Sequence, residues 1–202
     1  MDVYAKCPEL SDGRYLLRLV NDHDCEGLLK VYSDVRAVPL FNSDNCHGDD
    51  FHYTTPARMA EAIRFWVFSY NNRYFVRWSI VDCRTQEPVG TIELFNRDPE
   101  EEESVGLLRL DLRSDYENTR EIEKILSLIL PSAYDLFDCT SIWTKAIPQA
   151  VSRRIALASA GFVPADGPII GDDGTAYGDY WVRKRILPRS CKSNIRLRSS
   201  VF

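Results

Sequence analysis

The sequence predicts an α/β (α+β) fold, with a mixed central β-sheet of about six to seven strands and helices on both faces. Three observations predict it. Strand-like segments follow one another as a meander through the middle of the chain, and later ones alternate with helical segments. The helical segments are apolar on one face, as helices that pack on a sheet are. The chain has 202 residues, 45% apolar and 27% charged, which suits one domain with one good core. That domain is expected over 1–187, with a basic tail at 188–202.

RYLLRLV (14–20) has the composition of a strand, and NDHDCEGLLKVYSD (21–34) follows as a helix with Asn21, Asp22 and Asp24 as candidate caps. The polar stretch 39–53 shows no period, and a long loop of this kind in a compact domain often shapes a pocket. TPARMAEAIRFWVFSYNN (55–72) opens on Thr55 as cap and Pro56 at the first helical position, then repeats apolar residues at Met59, Ile63, Trp66 and Val67. YFVRWSIVDC (74–83) and VGTIELFN (89–96) read as a hairpin-like pair across the turn RTQEPVG. DPEEEE (98–103) reads as a solvated polar turn. SVGLLRLDLR (104–113) is a strand that enters a helix, whose Ile122, Ile125, Leu126 and Ile129 form one apolar stripe. Pro131 is expected to kink or end that helix. SIWTKAI (141–147) is a strand. PQAVSRRIALASAGF (148–162) is a helix stopped by Gly161, with Val151, Ile155 and Ala158 on one face and Arg153 and Arg154 off it. YWVRKRI (180–186) closes the fold after a Gly/Pro/Asp loop. Trp66, Trp78, Trp143 and Trp181 fall on element faces and read as core.

Charge and composition narrow the function classes. Seven basic residues and no acids lie from Arg183 onward, so residues 1–182 hold 18 basic and 30 acidic side chains. An acidic body disfavours nucleic acid and favours cationic substrates such as amines. No long uncharged stretch suggests a membrane span, and the N-terminus lacks an apolar signal core, so a cytoplasmic protein is expected. The six cysteines (Cys7, Cys25, Cys46, Cys83, Cys139, Cys191) contain no CxxC pair and read as reduced thiols. Cys46, His47 and His52 match no metal spacing, and no metal site is expected.

The junction 104–130 carries most chemical information. A helix start has unpaired N–H groups and a partial positive charge that can hold a phosphate. This one has no glycine and is ringed with carboxylates. Asn118 and Glu121 also look like a capping pair that satisfies the helix itself. Arg120 argues the other way, because a guanidinium can bind phosphate directly.

IWTKAIPQAVSRRIALASAGF (142–162) resembles the strand, turn, helix and Gly-Phe ending of the GNAT N-acetyltransferases, especially the branch acting on ribosomal proteins and small amines. YLLRLVNDHDCEGLLKVYSD and YGDYWVRKR resemble that family's opening and closing segments. The resemblance implies a sheet splayed between its fourth and fifth strands and acetyl-CoA as acyl donor in the splay. The pantetheine arm would pair with backbone at Leu110, Asp111 and Leu112. The pyrophosphate would sit on the turn 117–122, through Asn118, Thr119, Arg120, Glu121 and Ile122. The amine would attack the thioester directly. The chain departs from the family where Glu117 stands at the usual Arg/Gln position, and where Ala150 replaces an Asn that Ser152 can partly substitute. Glu93 is the candidate general base, if Ile92 and Leu94 face away from the cleft, and Tyr177 the candidate general acid. The implied partner is a small-molecule or protein amine, with a homodimer possible and no nucleic acid or membrane. The alternative is a catalytically inactive binding or regulatory protein on the same fold that has lost acetyl-CoA. A structural partner protein using the basic tail is a weaker third reading.

Overall fold

The computed structural model describes residues 2–97 and 104–185. Along the chain these form β1 (Leu10–Ser11), β2 (Tyr15–Leu19), α1 (Cys25–Tyr32), α2 (Pro56–Asn71), β3 (Val76–Asp82), β4 (Glu87–Asn96), β5 (Val105–Leu112), α3 (Thr119–Phe137), β6 (Ser141–Lys145), α4 (Val151–Ser159), β7 (Val163–Pro164), β8 (Ile169–Ile170), β9 (Ala176–Tyr177) and β10 (Tyr180–Lys184). Eight strands make one sheet in the order β1-β2-β3-β4-β5-β6-β10-β7, and β8 pairs with β9 apart from it. The excess over six to seven comes from β1 and β7, edge pieces of two residues each. Every pairing in the main sheet is antiparallel except β5 with β6, which is parallel and joined by the crossover helix α3.

Alternation along the central strands gives the sheet two unlike faces. Ile92 and Leu94 of β4, with Leu108, Leu110 and Leu112 of β5, share a core with Ile122, Ile125, Leu126 and Ile129 of α3. Burying each such side chain contributes roughly 1.5–3 kcal/mol. The intervening residues Arg77, Thr91, Glu93, Arg109 and Asp111 turn the other way and are also buried. A second core on that side holds Leu28, Val31 and Tyr32 of α1 with Met59, Ile63 and Trp66 of α2. A charged layer is thus sealed between the sheet and two helices.

Two local expectations need correction. Pro131 does not end α3, because the helix runs on to Phe137. Ala133, Tyr134 and Phe137 are buried beyond it, and that packing outweighs one missing N–H bond. On α4, Val151 and Ile155 are exposed, and the buried face is Arg153, Ala156 and Leu157. That face can go inward because Arg153 finds a carboxylate there, as described below. The acidic turn 98–103 and the basic tail 188–202 lie outside the described residues. No described helix is long and apolar enough to cross a membrane.

Candidate functional site

The sheet opens between β5 and β6. Their parallel pairing runs from Val105 opposite Ser141 to Leu108 opposite Thr144 and stops. β5 continues to Leu112, paired with Gly90 of β4 on one side only. Leu110, Asp111 and Leu112 therefore carry a backbone edge that faces the gap. The Leu110 and Leu112 side chains lie in the α3 core, and that of Asp111 lies in the charged layer.

At the end of this gap the starts of α3 and α4 meet. The Thr119 hydroxyl donates to the Ser152 carbonyl at 3.2 Å. Asn118 caps α3 by accepting the Glu121 N–H at 3.2 Å. The reciprocal half of the expected pair is missing, because the Glu121 carboxylate accepts from the Tyr15 hydroxyl at 2.5 Å instead. Burial opposes ionisation of Glu121, yet Tyr15, Lys124 and Arg14 hold its carboxyl below the usual range. Ile122 is fully buried and can offer a ligand only backbone. Arg120 is exposed and makes no ion pair among the described residues. Glu117 is not a bare charge. Arg153 grips its carboxylate with Nε at 2.8 Å and Nη2 at 2.7 Å, and donates Nη1 to the Leu40 carbonyl at 3.0 Å. The residue that neutralises the turn comes from the next helix, and sequence reading missed it. Its signal was the spacing Arg153, Ala156, Leu157, a second candidate inward face.

The charged layer begins beside the gap. Glu93 faces away from Ile92 and Leu94, as expected, but both its oxygens are taken. Arg77 donates to Oε2 at 2.5 and 3.1 Å, and Arg109 to Oε1 at 2.5 Å. Burial works against the Glu93 anion, but Arg77 and Arg109 outweigh it and hold its carboxyl below the ordinary range. A proton could reach Glu93 only by displacing a guanidinium. Asp111 is shifted the other way, raised by burial, with Arg77 and the Tyr32 hydroxyl offsetting it in part. Its Oδ2 accepts from Tyr32 at 2.8 Å and Arg77 at 3.1 Å, while the buried Oδ1 has no partner among the described residues.

The aperiodic stretch 39–53 lies across this layer and is pinned by Asp44. The Asp44 carboxylate accepts from Lys145 of β6 at 2.6 and 2.7 Å and from the Tyr180 hydroxyl of β10 at 3.1 Å. Its carbonyl accepts from Arg109 at 2.9 Å. Asp44 therefore sits where β5 and β6 part company. Three cavities open around its neighbour Asn45. One of about 800 Å³ is lined by Arg77, Glu93, Arg109 and aromatic residues that include Trp66, Phe65, Tyr74 and Phe75. One of about 470 Å³ is lined by Asp44, Asp49, Asp50, Asp172, Asp173 and Tyr177. The smallest, about 190 Å³, touches Asp44, Arg109, Tyr177 and Tyr180. Asn45 and Asp172 line all three and are joined by an Asn45 Nδ2 to Asp172 hydrogen bond of 3.0 Å. Glu93 and Tyr177 thus face adjoining cavities rather than one.

No family model matches the chain, and no curated protein matches it. Solved structures do. The ribosomal-protein-S5-alanine acetyltransferase of Vibrio fischeri superposes with a TM-score of 0.65 over 89% of this chain and 96% of its own, at 17% identity. A GNAT-family acetyltransferase of Bacillus anthracis gives 0.63 over 88% and 98%, at 13% identity. An aminoglycoside acetyltransferase bound to coenzyme A and kanamycin gives 0.60 over 85% and 95%, at 17% identity. The chain has the fold of the GNAT acetyltransferases.

Proposed function

We propose that the protein is an acetyl-CoA-dependent N-acetyltransferase that moves an acetyl group to a primary amine by direct attack. The observation that carries this reading is the parting of β5 and β6 after Leu108 and Thr144, which frees one backbone edge of β5 beside a helix start and opens next to an acid-lined cavity. Shared fold with acetyltransferases supports it as analogy.

The residues present fit the acyl donor. The Leu110 to Leu112 edge suits an amide-bearing arm. Asn118 takes only the Glu121 N–H, and the amides of Thr119 and Arg120 have no acceptor among the described residues, so they suit phosphate oxygens. Arg120 adds a cation that has no ion pair among the described residues, and Ser152 adds a polar group from α4. Acetyl-CoA supplies the activated acyl group, and the chain supplies position and proton handling. With the donor bound, the amine nitrogen would bond to the acyl carbon as the carbon–sulfur bond breaks, and the sulfur would keep its electron pair. Glu93, already ionised between two guanidiniums, acts here as a positioning group that fixes Arg77 and Arg109. Asp44 is the carboxylate beside the gap; a proton must displace a Lys145 contact to reach it, which its part-exposed side chain allows where the fully buried Glu93 does not, and we assign it the proton from the amine. Tyr177, lining the same cavity, returns a proton to the leaving sulfur.

Calorimetric titration with acetyl-CoA tests the reading. Saturable binding, weakened at least tenfold by Arg120→Glu, supports it. No heat at millimolar cofactor contradicts it and favours a binding protein that has lost the donor.

A further inference from the structure

We infer that the acceptor is a small primary amine carrying an aromatic ring, bound with its ring in the 800 Å³ cavity and its cationic end toward the neighbouring acid-lined one. Which amine is acetylated rests on the transfer reading, whereas ring-and-cation binding does not.

Two independent observations carry this. The larger cavity has the size of a drug-sized ligand site and an aromatic wall. Two of its rings, Phe65 and Tyr74, are 57% and 61% exposed, so apolar surface stands open at the mouth instead of being spent on the core. Trp66 is already committed to the fold, with the Arg77 guanidinium 4.3 Å from its ring centre. Phe75 packs against Phe65 at 6.2 Å between ring centres, which leaves a flat partner for another ring.

Charge decides the other end. Within the lining, Asp44 is paired with Lys145, Asp49 and Glu61 with Arg58, and Glu93 with Arg77 and Arg109. Asp50, Asp172 and Asp173 have no ion pair among the described residues, so the acid-lined cavity keeps uncompensated negative charge. An aromatic acid would meet that charge unfavourably, and an aliphatic amine would leave the aromatic wall unused. An aromatic amine satisfies both, and the two cavities share Asn45 and Asp172, so one short molecule can touch each.

The test is calorimetric titration of the full chain with phenethylamine, n-butylamine and 3-phenylpropionate, with and without saturating coenzyme A. Phenethylamine is expected to bind at least tenfold more tightly than either of the others. In the double variant Phe65→Ala/Tyr74→Ser, whose altered side chains are exposed, that preference over butylamine is expected to disappear with the melting temperature unchanged. Asp172→Asn is expected to weaken both amines alike. Absence of phenethylamine binding, equal affinity for butylamine or 3-phenylpropionate, or a preference that survives the double variant overturns the inference. Acetylation of butylamine without a ring preference would sink this inference and leave acetyl transfer standing. A ring preference in a protein that does not bind acetyl-CoA would do the reverse.

Discussion

Arg153 and Glu117 meet as a two-point ion pair across the starts of α4 and α3, at 2.8 and 2.7 Å, with 2% and 6% of their side chains exposed. Neither residue is tolerable there alone. A buried charge without its partner costs several kcal/mol, whereas an apolar replacement of both can be nearly neutral. Arg153→Met should therefore lower stability by about 3–5 kcal/mol in urea denaturation. Adding Glu117→Leu should recover a measurable part of the loss. A double variant that loses the sum of the Arg153→Met and Glu117→Leu single losses would mean that the pair contributes no coupling.

Glu93 gives a pH signature. Its folded value is depressed below the ordinary 4.5, so the stability it contributes is fully present above about pH 4.5 and is lost as pH falls through the lower folded value. Glu93→Gln should cost about 3–5 kcal/mol at neutral pH, with the gap from the parent closing in acid. Asp111, raised by burial, acts in the opposite sense. Its ionisation weakens the fold as pH rises through its folded value. A Glu93→Gln penalty that stays constant from pH 7 to pH 3 in chemical denaturation would contradict the assignment.

The fold was largely legible, because the apolar stripe of α3 and the alternation of β4 are local patterns that tertiary structure reinforces. The site was legible only in part. Leu110 to Leu112, Asn118 to Ile122 and Ser152 do gather around one gap, since strand order alone brings them there. The ion pairs were not legible. Glu93 looked like a free carboxylate because its partners Arg77 and Arg109 are supplied by neighbouring strands, 16 residues away on either side. Arg153 looked like a surface residue because helical periodicity cannot see a carboxylate 36 residues upstream. Asp44 sits in a stretch without period, where sequence marks a loop but not which residue pins it.

Gly90 marks the close approach of β4 to β5 at the gap. A Cβ there would lie 2.3 Å from the Asp111 carbonyl oxygen and 2.7 Å from Leu112 Cδ2. Gly90→Ala must shift β5 by backbone movement, and overpacking of this kind costs about 1–3 kcal/mol or more. A lowered melting temperature with weakened acetyl-CoA binding is expected. An unchanged melting temperature would show that β5 can move freely.

Asp44 is assigned the amine proton, so Asp44→Asn should lower turnover by on the order of 10²-fold with acetyl-CoA affinity changed little. Circular dichroism and thermal melting check that the loop remains docked, because Asn can still accept from Lys145 and Tyr180. Turnover within twofold of the parent would remove Asp44 from proton transfer.

The central claim is acyl transfer itself. The most direct measurement follows release of free coenzyme A thiol from acetyl-CoA with a primary amine present, together with the mass of the amine product. Thiol release that requires both protein and amine is expected, matched one for one by a product carrying one acetyl group. Thiol release independent of amine, or none while acetyl-CoA is demonstrably bound, would contradict it.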